Sequence, residues 1–254
     1  MKNLARRSFV LGATCCAFGF HSNISASAAE LFDLGCGINE TELYALRMAD
    51  RLRTRDYIKS ILLESSGNRE FDQVLGHVLV EIAQDFDVYP EFYFFDDGGI
   101  QQARASNSKL DDRSDGTVLF GKTMLENALS LEGGDAAIIA VCAHEYAHIA
   151  AFKRATLIHE ASRNKPRYVR ELHADFISGY FMAKHSDRFP DINLSAAGTV
   201  WLGLGSKDPS RPGSHGTVEM RRKAINAGFF LLEKNKFMNF EAAFSAASKY
   251  IRDL

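Results

Sequence analysis

An excess of either charge is missing from this chain: 30 lysines and arginines stand against 32 aspartates and glutamates, a formal net charge of −2 over 254 residues. That balance excludes the basic footprint by which proteins grip nucleic acid or an anionic membrane surface. Cysteine is scarce as well. Of the 4 present, Cys15 and Cys16 fall in the N-terminal segment, which leaves Cys36 and Cys142, too few for a disulfide-built scaffold. A bond between those two stays open as an alternative, while packing in the core is the simpler use for Cys142. No internal repeat and no low-complexity tract occurs, nor any apolar run of the roughly twenty residues that crossing a bilayer takes. With 46% apolar and 24% charged residues, the chain has the composition of an ordinary globular protein that buries a sizeable core.

What is present begins with an N-terminal segment unlike the rest. Lys2, Arg6 and Arg7 precede a mildly apolar run from Phe9 to Phe20, and a small-residue stretch ends it at Ala26-Ser27-Ala28. Those three parts read as a signal peptide over 1–28, cleaved after Ala28. Arg6-Arg7 followed by Ser8, Phe9 and Val10 resembles the twin-arginine export signal, and a run softened by Gly12, Ala13 and Thr14 suits that route. The expected product is a periplasmic protein, residues 29–254, with no stable transmembrane anchor after cleavage. A lipoprotein signal on Cys15 or Cys16 would need leucine three positions upstream, where Gly12 and Ala13 stand.

Apolar spacing and turn residues then set out a series of elements. Asn39 or Thr41 caps an expected helix running to about Glu64, with Leu43, Leu46, Ile58, Ile61 and Leu62 as its apolar positions, and Gly67 interrupts it. A second amphipathic helix, about Arg69 to Asp85, carries Phe71, Leu75, Val78, Leu79 and Ile82 at helical spacing; His77 on it reads as a surface or packing residue. Glu91–Phe95 and Thr117–Phe120 read as strands, separated by a polar loop holding Asp111, Asp112, Asp115 and Gly116. This acidic cluster is a solvated loop, since a calcium loop needs an alternating acidic pattern closed by a glutamate that is missing. Gly133-Gly134 ends one element, and Asp135 caps the next, an apolar helix from Ala136 to about Phe152. Pro166 opens another, to about Lys184. After a loop marked by Asp208, Pro209, Arg211, Pro212 and Gly213 come helices near Val218–Glu233 and Phe240–Ile251.

The apolar helix carries His144-Glu145-Tyr146-Ala147-His148, the HExxH pattern. Two histidines four residues apart stack on one helical face and can share a tetrahedral metal ion, and the apolar flanks supply a rigid, buried support. Two histidines and a glutamate can also simply decorate a helix. The next helix argues against that reading, because Glu171-Leu172-His173-Ala174-Asp175 puts the carboxylates of Glu171 and Asp175 on one face, a third ligand and a supporting acid. Zinc is the metal expected from His144, His148 and Glu171. Three protein ligands leave a fourth position open, as in a catalytic site, and Glu145, next to His144 but rotated around the helix, is the expected general base. His159, His173 and His185 have no motif around them and are read as non-ligands.

These residues resemble the gluzincin metallopeptidases, and within them the HtpX and CAAX-prenyl-protease group, metallopeptidase family forty-eight. That family carries HExxH and then Glu-x-x-Ala-Asp, matched here by His144, Glu145, His148, Glu171, Ala174 and Asp175. Ala103-Arg104-Ala105 and Thr117–Phe120 sit where members have a small-residue segment and a β edge, and the likeness covers roughly 71–225. The membrane helices of many members have no counterpart, and Gly216 stands where members have proline. The resemblance implies an α+β, mainly helical, zincin-like metallopeptidase domain with a small sheet, whose edge near Thr117–Phe120 pairs with an extended protein or peptide substrate. It implies that Asp175 accepts a hydrogen bond from the imidazole of His144. It also implies that His215, followed six residues later by Arg221, belongs to a loop over the metal, where it donates to the oxyanion or fills the open metal position. The implied activity is a zinc endopeptidase acting on exported proteins. A zinc-containing, chaperone-like or binding protein with little hydrolysis is the alternative, and intact Glu145 argues against it.

Overall fold

The computed structural model describes residues 62–97, 99, 101–107, 109, 112–188, 215–234 and 238–254. The proposed signal peptide with Arg6 and Arg7, Cys36, most of the first expected helix and the loop at 208–213 lie outside the described residues. The described part is α+β and mainly helical, with a four-stranded mixed sheet. Its elements in chain order are β1 (Leu62–Leu63), α1 (Arg69–Phe86), β2 (Glu91–Phe95), β3 (Ala103–Ser106), β4 (Thr117–Gly121), α2 (Lys122–Leu129), α3 (Gly134–Lys153), α4 (Ala155–Ala161), α5 (Tyr168–Lys184), α6 (Val218–Phe229), α7 (Leu231–Lys234) and α8 (Phe240–Arg252). None of the described helices is long and apolar enough to cross a membrane.

Local chemistry explains most boundaries. Asn68 caps α1, its side-chain oxygen accepting from the backbone N–H of Glu70 at 3.1 Å and of Phe71 at 3.2 Å, and Asp87 closes the helix in the left-handed conformation. The apolar stripe of α1 is the expected one, with Leu75, Val78, Leu79 and Ile82 buried. Residues 62 and 63, expected as the end of a helix, are instead strand β1, paired antiparallel with Phe95 and Phe94 of β2; cross-strand pairing overrides the helical spacing of a short leucine-rich run.

The strand order β1-β2-β4-β3 corrects a second expectation. β4 is not an edge: it lies between β2, to which it runs parallel, and β3, to which it runs antiparallel. The edge on that side is β3, formed inside the segment read as loop, and β1 is the other edge. Phe92, Phe94, Val118, Phe120, Ala103 and Ala105 are buried on one face of the sheet, and α3 packs against β3 and β4. α2 starts directly from β4 and is capped from across the sheet, since Asp97 accepts from the N–H groups of Thr123 at 3.1 Å, Met124 at 3.3 Å and Gln102 at 3.4 Å. Burial pushes the Asp97 carboxyl up, and these donors more than offset it, leaving it below the ordinary carboxylate value.

α3 is buried from Gly134 to Ala151 apart from Asp135, as an all-round apolar helix must be. Its cap is Gly133 in the left-handed conformation and not Asp135, which falls inside the first turn and accepts from the N–H of Ala136 at 2.8 Å. The short α4 was not foreseen, and α5 begins at Tyr168, two residues beyond Pro166. α5 packs on α3, α6 and α8, and Ser178 of α5 donates to the carbonyl of Ala140 on α3 at 2.8 Å. Arg154, just past α3, pairs with Glu241 of α8 and lies 5.0 Å and 5.3 Å from the ring centres of Phe240 and Phe244. The C-terminal helix is thereby tied to the back of the α3–α5 pair.

Candidate metal centre

His144 and His148 stand one turn apart on the buried part of α3, and Glu171 faces them from the first turn of α5. The two Nε2 atoms are 3.1 Å apart; Glu171 Oε2 lies 3.6 Å from Nε2 of His144, and Oε1 lies 3.7 Å from Nε2 of His148. A tetrahedral ion with bonds of about 2.0–2.2 Å holds its donor atoms roughly 3.3–3.6 Å apart, so the three groups already stand within a few tenths of an ångström of that spacing. All three are buried, and together they could hold a metal ion.

The surroundings fix how the donors point. His144 Nδ1 lies 2.8 Å from Asp175 Oδ1, so a proton held there leaves the Nε2 lone pair toward the cluster. Burial alone would lower the His144 pKa, but the charge of Asp175 and its hydrogen bond outweigh it and raise the value to about 9. Asp175 is also gripped by Arg221 of α6, Nε at 2.8 Å from Oδ2 and the Nη2 nitrogen at 2.7 Å from Oδ1. Burial would raise the Glu171 carboxyl, yet the charge of His148 and hydrogen bonds from His144, His148 and His215 hold it well below the usual range. A carboxylate so held is ionised, as a ligand must be.

Glu145 is 3% exposed, and its Oε2 has no hydrogen-bond partner among the described residues. Burial is the main cause that pushes its pKa up; Glu171 adds to the rise, while His144, His148 and His215 oppose it. A buried carboxylate oxygen without a partner costs free energy on the order of 1–3 kcal/mol, and such a group calls for an explanation in terms of water, ion or function.

His215 reaches the centre. Its Nδ1 is 2.9 Å from Glu171 Oε2, and the side chain is about one-third exposed. The other described histidines stay away. His173 is buried against Phe244, ring centres 4.6 Å apart, and burial lowers its pKa to about 3; His185 pairs with Asp85 at 2.7 Å, and His77 and His159 are exposed. Cys142 is a buried free thiol whose pKa is pushed up by burial and by the charge of Glu145, the signature of an inert core residue.

The chain matches no family model, no curated protein and no solved structure. Arg221, placed in the sequence only as following His215 by six residues, grips Asp175, a contact that the sequence reading did not include. A signal was there: Arg221, Ala224, Ile225 and Gly228 are the buried stripe of α6, so a cation occupies an apolar face at helical spacing.

Proposed function

We propose that this chain is a zinc-dependent endopeptidase of the gluzincin type, related to the HtpX and CAAX-prenyl-protease group, exported by the twin-arginine route and acting on proteins of the periplasm. The observation that carries the reading is Glu145, a buried carboxylate with one oxygen that has no partner among the described residues, on the same helix as two histidines whose Nε2 atoms converge with Glu171. Zinc is the metal we assign, because two imidazoles and one carboxylate at tetrahedral spacing are a zinc donor set. Bound there, zinc supplies Lewis acidity toward a scissile carbonyl and toward water.

The chain's own residues do the rest. Glu145 takes a proton from the attacking water and passes it to the leaving amine. Asp175 fixes the ring of His144, and His215 holds the outer oxygen of Glu171. The role expected of His215 at the oxyanion requires its second ring nitrogen to face the substrate while Nδ1 keeps Glu171. An extended peptide pairs with β3, the edge strand packed beside α3, in place of β4. A zinc-bearing binding protein would have no use for the unpartnered oxygen of Glu145.

Elemental analysis joined to a peptidase assay tests the proposal. His144→Ala, His148→Ala and Glu171→Ala should each lose zinc, whereas Glu145→Gln should keep it and lose turnover by about a hundredfold or more. Full zinc in the Glu171 variant, or full activity in the Glu145 variant, would refute the assignment of that residue.

A further inference from the structure

The stretch that leads into Glu171, residues 161–170, carries Arg163, Lys165, Arg167 and Arg170 and no acidic residue. Over the whole chain the two signs nearly cancel, at a net −2, so this run is a local concentration of positive charge and not a sample of an overall excess. It is also folded into a defined shape. Ser162 accepts at its carbonyl from the N–H of Lys165 at 3.0 Å and at its hydroxyl from Nε of Arg170 at 3.3 Å, and Asn164 between them takes the left-handed conformation, φ 59. Like charges held together in a short ordered loop repel one another, a cost that a bound anion relieves.

Helix geometry shows which of these cations stands toward the centre. Arg167 already has helical dihedrals, φ −54 and ψ −37, and its carbonyl accepts from the N–H of Arg170 at 3.1 Å, so the first turn of α5 extends back through it. Arg167 and Glu171 are four residues apart on one face of that helix, separated by about 6 Å along its axis. Helical side chains lean toward the N-terminus, so Arg167 leans away from the three proposed ligands and out along the approach to them. The open side of the centre lies there. The side chains of His144, His148 and Glu171 are 5%, 2% and 3% exposed, whereas that of His215, which touches Glu171, is 32% exposed. Gly216, next to His215, passes over the same turn of α5: a Cβ on it would lie 3.6 Å from the side chains of Tyr168 and Leu172.

We propose that Arg167 is a specificity residue that binds an acidic side chain of the peptide beside the bond to be cut, with Arg163, Lys165 and Arg170 adding to the positive field around it. The proposal names a substrate class for the peptidase reading and rests on that reading. A guanidinium presents paired N–H donors to a carboxylate and keeps its charge at any physiological pH, so it holds an Asp or Glu of the substrate far better than the neutral Asn or Gln of the same shape. Arg163 is exposed, and Lys165, Arg167 and Arg170 are half-buried, so part of the attraction is open to screening by salt.

The test uses the purified, Zn2+-loaded full chain and pairs of C-terminally amidated peptides that differ only in Asp against Asn, or Glu against Gln, beside the cleaved bond. kcat/KM should favour the acidic member by about tenfold or more, and the ratio should shrink as NaCl is raised. Arg167→Glu should invert the preference, Arg167→Gln should remove it, and Arg167→Lys should restore part of it. Each ratio compares two substrates on one protein, so a general loss of activity or of Zn2+ cancels, and a merely structural role leaves the ratio at its wild-type value. If Arg167→Glu fails to fold, Arg167→Gln gives the same decision. Equal kcat/KM for both members of every pair in the wild type, or a wild-type ratio in a folded Arg167→Glu or Arg167→Gln variant, would overturn the proposal. A wild-type chain that holds Zn2+ and cuts no peptide would instead overturn the peptidase reading on which it rests.

Discussion

His215 touches the carboxylate of Glu171, at 2.9 Å, so under the proposed metal site its removal should be felt in metal binding as well as in turnover. Groups that hydrogen-bond a ligand typically contribute about tenfold to a hundredfold in affinity. We expect His215→Ala to weaken Zn2+ binding by about tenfold in a chelator competition and to lower peptidase turnover with it. Zn2+ affinity and turnover both equal to wild type would make the contact incidental. The grouping of His144, His148 and Glu171, with Glu145 and Asp175 beside them, was legible in the sequence in so far as their relations are local. Two histidines four apart, and two acids four apart, share a helical face whatever the rest of the chain does. The Glu145 oxygen without a partner was not legible, since a sequence gives a residue's neighbours along one helix but not which neighbours a packed core withholds.

At the scale of elements, the α5–α6 crossing is the most demanding feature, with two glycines at backbone contact. Gly228→Ala must push α6 away from the carbonyl of Phe176, and overpacking of this kind costs about 1–3 kcal/mol. Because Asp175 and Arg221 sit on these same helices, the variant should lose Zn2+ affinity along with several degrees of melting temperature. A melting curve and affinity both matching wild type would show that the helices separate at no cost. The helices themselves were readable, since α1, α3 and α5 carry apolar or motif residues at helical spacing. The sheet was read less well. Which strand is the edge depends on pairings between segments separated along the chain, β2 with β4 and β3 with β4, and no local pattern says that β4 sits inside and β3 outside. Ala103–Ser106 is short and half polar, so it passed for loop until the β4 register supplied its partner.

For the whole molecule, the described helices and sheet enclose one centre, and the N-terminal segment bears on where that centre works. If Arg6-Arg7 direct export through the twin-arginine route, replacing both with lysine should retain the chain in the cytoplasm on cell fractionation. Normal export of that variant would reassign the route without touching the chemistry. The chemistry has its own decisive measurement, digestion of a peptide library by the purified chain after chelation and again after Zn2+ is restored. The account predicts no cleavage in the chelated protein, cleavage when Zn2+ returns, and none from Glu145→Gln at the same Zn2+ content. A wild-type chain that holds Zn2+ on His144, His148 and Glu171 and leaves every peptide intact would contradict it.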